Sequence, residues 1–410
     1  MEQLNIALAV TGAVVIVVGA FSNAIKQSVL QEPIIAVLVG IAVGPYGLDW
    51  LDVAEWGEQD VILEHAARLT LAIGLMGVAL RIKKVSLTTL WQPMTVLLTL
   101  GMLGMWLTSA ALSAWLLGLS LWAALLLGAV ITPTDPVVAS TIVTGRFARQ
   151  HLPLRLRDTI SLESGANDGL AYLLVMLPIL MIGQAPGDAL TRWVVESLVV
   201  GVLVASILGA VVGYAAARLL TFSERRKIIE TPSLLGYSLA FSLFTLGNAT
   251  LLGADALISV FIAGLVFNLS IGRREEHEEA HVQEAVAKLL TLPMFVIFGI
   301  ALPFAQWVRI GWPLLACVGL VLLLRRPPVI ALLLPRLRGA LDNHDVAYLG
   351  WFGPIGIAGI YYSTFARAHV DDPMLWHVAS AAIFGSILIH GITAAPLTRL
   401  YARRKREASR

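Results

Sequence analysis

The sequence predicts an all-α polytopic membrane protein, and three observations carry that prediction. Hydrophobic residues fill 58% of the 410 positions and charged residues only 14%, against roughly 45–50% and 25% in soluble domains. Apolar runs of about 20 residues, the length that crosses a bilayer, recur along the whole chain, with no polar stretch in which a soluble domain could fold. Two of these runs are interrupted by proline at matching places, which lipid-facing helix does not tolerate.

Thirteen spans are expected, centred near residues 14, 38, 73, 102, 131, 170, 206, 241, 262, 296, 322, 355 and 386. The first, from Ile6 to Ala20, is longer than most signal-peptide cores and lacks a basic leader and a small-residue cleavage site, so it reads as a retained span. With the tail Arg403-Arg404-Lys405-Arg406 cytoplasmic, odd parity puts the N-terminus outside, and the loops obey the positive-inside rule. The cytoplasmic side then collects Lys26, Arg81, Lys83, Lys84, Arg146, Arg149, Arg155, Arg157, Arg225, Arg226, Lys227, Arg273, Arg274, Lys288, Arg336 and Arg338. The outer side holds Arg192, Arg309 and Arg367 beside an acidic loop with Asp49, Asp52, Glu55, Glu58 and Asp60. Cys317 is the only cysteine, so disulfides and thiolate metal sites drop out.

The fifth span contains Ile131-Thr132-Pro133-Thr134-Asp135-Pro136. Its prolines supply no N–H, so the carbonyls of Ala129 and Thr132 lose their helical partners and the helix must break. Asp135 before Pro136 reads as an N-cap carboxylate with proline at the first helical position of the resumed helix. The twelfth span repeats the anomaly in Gly350-Trp351-Phe352-Gly353-Pro354-Ile355-Gly356, where Pro354 frees the carbonyl of Gly350. Each break is fifth in a group of six, with the seventh span as a link, so the groups enter from opposite sides. That is the pattern of an inverted repeat whose two broken helices cross near the midplane, where an ion site is expected. Two unrelated proline kinks are the competing reading.

The sixth span carries Ser161-Leu-Glu163-Ser164-Gly-Ala-Asn167-Asp168. On a helix Glu163 sits over Asn167 and Ser164 over Asp168, crowding four polar side chains onto an arc of about 140°. Ionisable groups at membrane depth cost several kcal/mol and point to function. Arg325-Arg326-Pro327-Pro328 on the eleventh span either snorkels to the headgroups or finds a buried partner, for which Glu163 is a candidate.

These motifs together resemble the sodium/proton exchanger branch of the cation:proton antiporters, to which NhaP and the animal NHE exchangers belong. The resemblance covers essentially the whole chain, including the run from Gly253 to Gly264. It implies an NhaA-like fold in which residues 1–90 hold dimerisation-domain helices, 91–183 core helices, 184–308 a linker helix and further dimerisation-domain helices, 309–402 core helices, and 403–410 a short basic tail. It implies that Asp168 carries the ion or the proton, that Thr134 and Asp135 line the crossing, and that Ser164 assists coordination. Glu163 and Asn167 are implied as structural polar partners, with an arginine of the eleventh span, Arg326 before Arg325, neutralising Glu163. Two departures stand out. Many relatives place a basic residue after the Gly-Pro of the twelfth span, where this chain has Ile355, and some supply an acid from the third span, where Leu75-Met76-Gly77-Val78-Ala79-Leu80 offers none.

The expected function is electroneutral exchange of one monovalent cation, sodium or lithium, for one proton, the two competing for Asp168. Asn167 cannot titrate, so no second proton is expected there. A potassium/proton antiporter of the same fold is the alternative, and cavity size, which decides between the cations, is not written in the sequence. No enzyme activity and no cofactor are expected. The expected partners are membrane lipid, a second copy of the chain, monovalent cations and protons, with no nucleic acid, in a prokaryotic inner membrane. An intramembrane aspartyl protease is the competing enzyme reading, since Asp135 and Asp168 lie on neighbouring spans, but Asp135 sits between prolines on a broken helix. His277 and His281, four apart among acids, could bind a metal or sense pH, but a solvated cytoplasmic helix face is the favoured reading. His390, one turn from Ser386, is expected to make an interhelical hydrogen bond.

Overall fold

The structure, a computed structural model, describes residues 2–136, 138–227, 231–271 and 276–408, without the side chains of residues 141, 231–235 and 276–285. Helix follows helix, with no strand among the described residues. That is what the composition requires, because hydrocarbon offers a backbone no partner outside its own segment. Seven of the described helices are long and apolar enough to cross a membrane, and Val286–Ile300 with Phe304–Ile310 adds one more as a pair bent by 55°. Glu32–Val43, Leu121–Val130 and Ala256–Ser270 are shorter apolar helices. Every expected centre falls on its own helix or, at 131 and 355, on the gap between two.

Three details differ from the sequence reading. The seventh expected span lies within a 40-residue apolar stretch, Pro186–Arg225, with a π-helical segment from Trp193 to Val204. The last helix, Pro373–Ala408, carries through the basic tail, whose four cations extend a helix instead of forming a loose end. The fifth span resumes at Ser140, not at Pro136, and Asp135 is shared with the other broken helix, as described below. The side chains of His277 and His281 lie outside the described residues, so the metal and pH readings for them are untouched.

The helices pack into two groups. Glu276–Ile300 lies on Glu32–Val43 and Gln59–Arg81, while Ala256–Ser270 lies on Ala205–Arg225 and Gln59–Arg81. In the second group Leu121–Val130 lies against Met102–Leu117 and Leu154–Gly183, and Trp312–Leu324 against Met102–Leu117 and Pro373–Ala408. Ile357–Arg367 packs on Gln59–Arg81 and so joins the groups. Large apolar side chains such as Ile16, Ile207, Val211 and Leu332 are exposed on the outside, whereas Ser109, Ser113, Thr364 and Ser380 are buried and turn back to carbonyls of their own helices. This inversion of the soluble pattern is what a hydrocarbon solvent selects.

The first group is locked by glycines. A Cβ on Gly40 would overlap the Val296 carbonyl and one on Gly299 would overlap the Val37 carbonyl, so the Glu32–Val43 and Glu276–Ile300 backbones touch. Gly209 and Gly213 meet the carbonyls of Ser259 and Ala263 in the same way. Small residues are the usual means of close helix approach where no hydrophobic effect drives association. Gly299→Val is expected to lower stability by about 1–3 kcal/mol through overpacking, whereas Gly319→Ala, which meets nothing within 4 Å, should leave thermal unfolding in detergent unchanged.

Candidate functional site

Each broken span ends one half-helix with bare carbonyls and opens the next with bare amides, a negative end and a positive end apiece. Leu121–Val130 and Asn343–Trp351 supply the negative ends, and one buried guanidinium meets both. Arg325, 2% exposed, donates through Nη1 to the carbonyls of Ile131 and Thr132 and through Nη2 to that of Gly353. The Nε of Arg326 reaches the carbonyl of Leu349 at 2.9 Å. On the positive side stands Asp135, fully buried. Its Oδ1 accepts from the Val138 N–H at 3.2 Å and its Oδ2 from the Ile357 N–H at 2.6 Å, while its own N–H donates to Pro354 O at 2.8 Å. A Cβ on Gly356 would overlap Oδ2, so only glycine lets the carboxylate reach across. One cation and one anion thus close four helix ends.

The last helix completes the crossing. The Ile355 N–H donates to Ser386 Oγ at 2.7 Å, Ser386 Oγ lies 3.0 Å from His390 Nδ1, and His390 Nε2 lies 3.1 Å from the Trp351 carbonyl. His390 Nδ1 also lies 3.0 Å from the Ser386 carbonyl, so both ring nitrogens stand beside backbone oxygens. His390 makes the interhelical bond expected of it. The departure at Ile355 also finds a physical account, since Arg325 places a cation on the carbonyls of both breaks.

Leu154–Gly183 runs past the crossing and brings the polar arc to it. Glu163 and Arg326, 1% and 2% exposed, form a bidentate pair at 2.6 and 2.7 Å, the strongest geometry open to a carboxylate and a guanidinium. Burial of both arginines excludes the snorkelling reading. Asn167 accepts the Thr134 N–H at Oδ1, 3.0 Å, and donates from Nδ2 to Thr134 Oγ1 at 2.8 Å. It therefore satisfies backbone that the break leaves bare. Thr134 Oγ1 is 3.0 Å from Ser164 Oγ, so the fifth and sixth spans share a pair of hydroxyls.

Asp168 differs from all of these. It is 0% exposed, and neither carboxylate oxygen has a hydrogen-bond partner among the described residues. Gly165 and Gly169, on either side of it in sequence, lie against Phe261 and Ile258 of Ala256–Ser270, where a Cβ on either would meet those side chains. An apolar wall from the other group therefore faces this stretch. Tyr362 was not singled out from the sequence; its hydroxyl donates to the Asp168 carbonyl at 2.6 Å. Nothing in an apolar helix flanked by aromatics marks that tyrosine, whereas Ser386 and Gly356 lay within motifs already noted.

Thr134, Asp135, Glu163, Ser164, Asn167, Asp168, Arg325 and Arg326 thus gather at one crossing, all 2% exposed or less. Removing one partner of a buried ion pair strands the other, at about 3–5 kcal/mol. Glu163→Leu and Arg326→Met should each destabilise by that amount, and the double variant by clearly less than the sum, which a double-mutant cycle on thermal unfolding measures.

With this geometry in hand the chain can be set beside known proteins. Residues 12–400 match the family described as sodium/hydrogen exchanger, transmembrane. An Na(+)/H(+) antiporter 2 from Zygosaccharomyces rouxii is 29% identical over 402 residues, 90% of this chain, and the match spans half of the yeast protein's length. A K(+)/H(+) antiporter NhaP from Alkalimonas amylolytica is 24% identical over 97% of this chain and 67% of its own. Among solved structures the sodium proton antiporter MjNhaP1 from Methanocaldococcus jannaschii superposes with a TM-score of 0.76 at 18% identity, covering 98% of this chain and 99% of that one. The broken helices, their shared crossing and the architecture around them are accordingly those of an NhaA-like fold, and the chain belongs to the sodium/hydrogen exchanger family.

Proposed function

We propose that this protein exchanges a monovalent cation, sodium or lithium, for a proton across a membrane, one for one, with both ions competing for Asp168. The observation that carries the reading is the contrast among the buried acids. Glu163 is matched by Arg326 and Asp135 serves two helix N-termini, whereas the Asp168 carboxylate has no donor among the described residues. A buried carboxylate must take up a cation or a proton. Loaded with either, the site is nearly neutral; empty, it is an anion facing Phe261 and Ile258, and moving it past them costs several kcal/mol. That asymmetry suppresses return without cargo and couples the two flows.

Thr134 and Ser164 hydroxyls supply further oxygen ligands, and Asp135 acts through its field and its hold on the crossing rather than as a ligand. Asn167 carries no second proton, which makes the exchange electroneutral. On this reading residues 91–183 and 309–402 form the core that carries the site, and residues 1–90 and 184–308 the domain through which two copies dimerise. The loops rich in lysine and arginine face the cytoplasm and the N-terminus lies outside, in a plasma membrane. The yeast relative's name supports sodium and the NhaP relative's name keeps potassium as the second reading. The family contains transporters, and Asp135, with both oxygens on amides, is poorly placed to share a proton with Asp168 as a proteolytic dyad would require.

Proteoliposomes holding the full chain test this. Sodium added outside should release protons from acid-loaded vesicles without any current that follows turnover. Asp168→Asn should reduce exchange to the level of empty vesicles while thermal unfolding changes little. Exchange that persists in that variant, or a current proportional to rate, overturns the assignment. Faster proton release with potassium than with sodium selects the second reading.

A further inference from the structure

On the face that carries the basic loops, a cavity of about 40 Å³ opens between the two groups of helices. Water needs only about 10–15 Å³ of such volume and polar partners, and Glu32, Arg81 and Lys288 supply the latter, so the space has room for water. Its lining includes Glu32, Gly77, Arg81, Lys288, Thr291 and Pro136, the last being the residue after Asp135. The cavity therefore reaches from the surface to the edge of the crossing.

Two features of the lining point to a ligand. Glu32 begins the Glu32–Val43 helix with its side chain 9% exposed, and its Oε1 meets Lys288 Nζ at 3.2 Å, the lysine side chain being 30% exposed. Thr291, one turn further along the Lys288 helix, is 3% exposed, and its hydroxyl has no hydrogen-bond partner among the described residues. Threonine in a helix ordinarily bonds the carbonyl four residues back, as Thr245 and Thr250 do here. Nor does the ion pair have to hold its helices together, since their backbones already touch at Gly40 and Gly299.

We propose that Glu32 and Thr291 form an entry site for the transported monovalent cation, occupied between arrivals by the ammonium of Lys288. The proposal rests on the antiport reading above. An ammonium is itself a monovalent cation with a preference for oxygen, held on a flexible stem that can swing to solvent. An incoming ion that displaces it leaves the carboxylate paired at every moment, so no uncompensated charge appears in the cavity. The hydroxyl of Thr291 replaces one water of the entering ion, and Pro136 marks the way on to Thr134 and Asp168. Lys288 acts as a competitor tethered to the path.

The test is initial exchange rate against sodium concentration, in vesicles that present one face or the other. Glu32→Gln is expected to raise KM for sodium on the basic-loop face about fivefold, with kcat within twofold and the KM from the opposite face unchanged. Lys288→Met should lower the same KM about threefold by removing the competitor. Thr291→Val, close in shape and mild in its effect on folding, should raise it at least twofold. If all three leave that KM unchanged while wild type exchanges normally, or shift both faces alike, the pair is structural and the entry site is refuted, with the antiport reading intact. If wild type fails to exchange, both readings fall.

Discussion

The structure depends on how the peptide groups at two helix breaks are satisfied where no bulk water can reach them. Proline and glycine force the chain open at 131–139 and 352–356, and each break leaves half-helix dipoles pointing at the other. Left bare, those groups would cost several kcal/mol apiece. Arg325 answers the carbonyl ends and Asp135 the amide ends. Because each ion touches both breaks, the two half-helix pairs are tied into one unit, and the local problem of each proline is solved by residues far away in sequence.

On the proposed reading, this division of labour leaves the transport site chemically simple. Glu163, Asn167 and Arg326 are consumed in fixing Thr134 and the crossing, so their polarity is structural in kind even though it sits beside the site. Of these acids, Asp168 keeps its oxygens uncommitted by donors among the described residues. Two hydroxyls within 3.0 Å of each other, on Thr134 and Ser164, stand on the adjoining elements. A site of this make-up needs no conformational rearrangement of its ligands to accept a proton in place of a cation, since neither cargo has to break a pre-existing bond to the carboxylate.

Much of this was legible in the sequence because membrane burial makes polar residues conspicuous. The two breaks and the polar arc of the sixth span could be read from residue type and spacing, whereas the pairing of Glu163 with an arginine of the eleventh came from the family resemblance. What could not be read was which cation serves which task. Arg325 and Arg326 are adjacent and chemically identical, and only three-dimensional placement sends one to Glu163 and the other to bare carbonyls. Asp135 looked like an N-cap for its own helix, and its first oxygen does accept from Val138 N–H, yet its second is spent on Ile357, 222 positions away. Tyr362 gave no signal because a hydroxyl that bonds one carbonyl in an apolar helix leaves no pattern. The Lys288–Glu32 contact joins residues 256 apart, a separation that neither periodicity nor local charge patterning can bridge.

The seam at Gly165 and Gly169 differs in kind from the contacts at the crossing. There, methyl and ring edges of Ile258 and Phe261 rest on bare Cα positions, an attraction built of dispersion alone and without a preferred direction. The crossing is held by charged and amide bonds that fail within an ångström of misplacement. A displacement confined to this seam would therefore exchange apolar neighbours without breaking a hydrogen bond, whereas the lattice around Arg325 and Asp135 has no such latitude. The softness of that greased boundary, set against the stiffness of the tied helices, determines where in this molecule motion can occur.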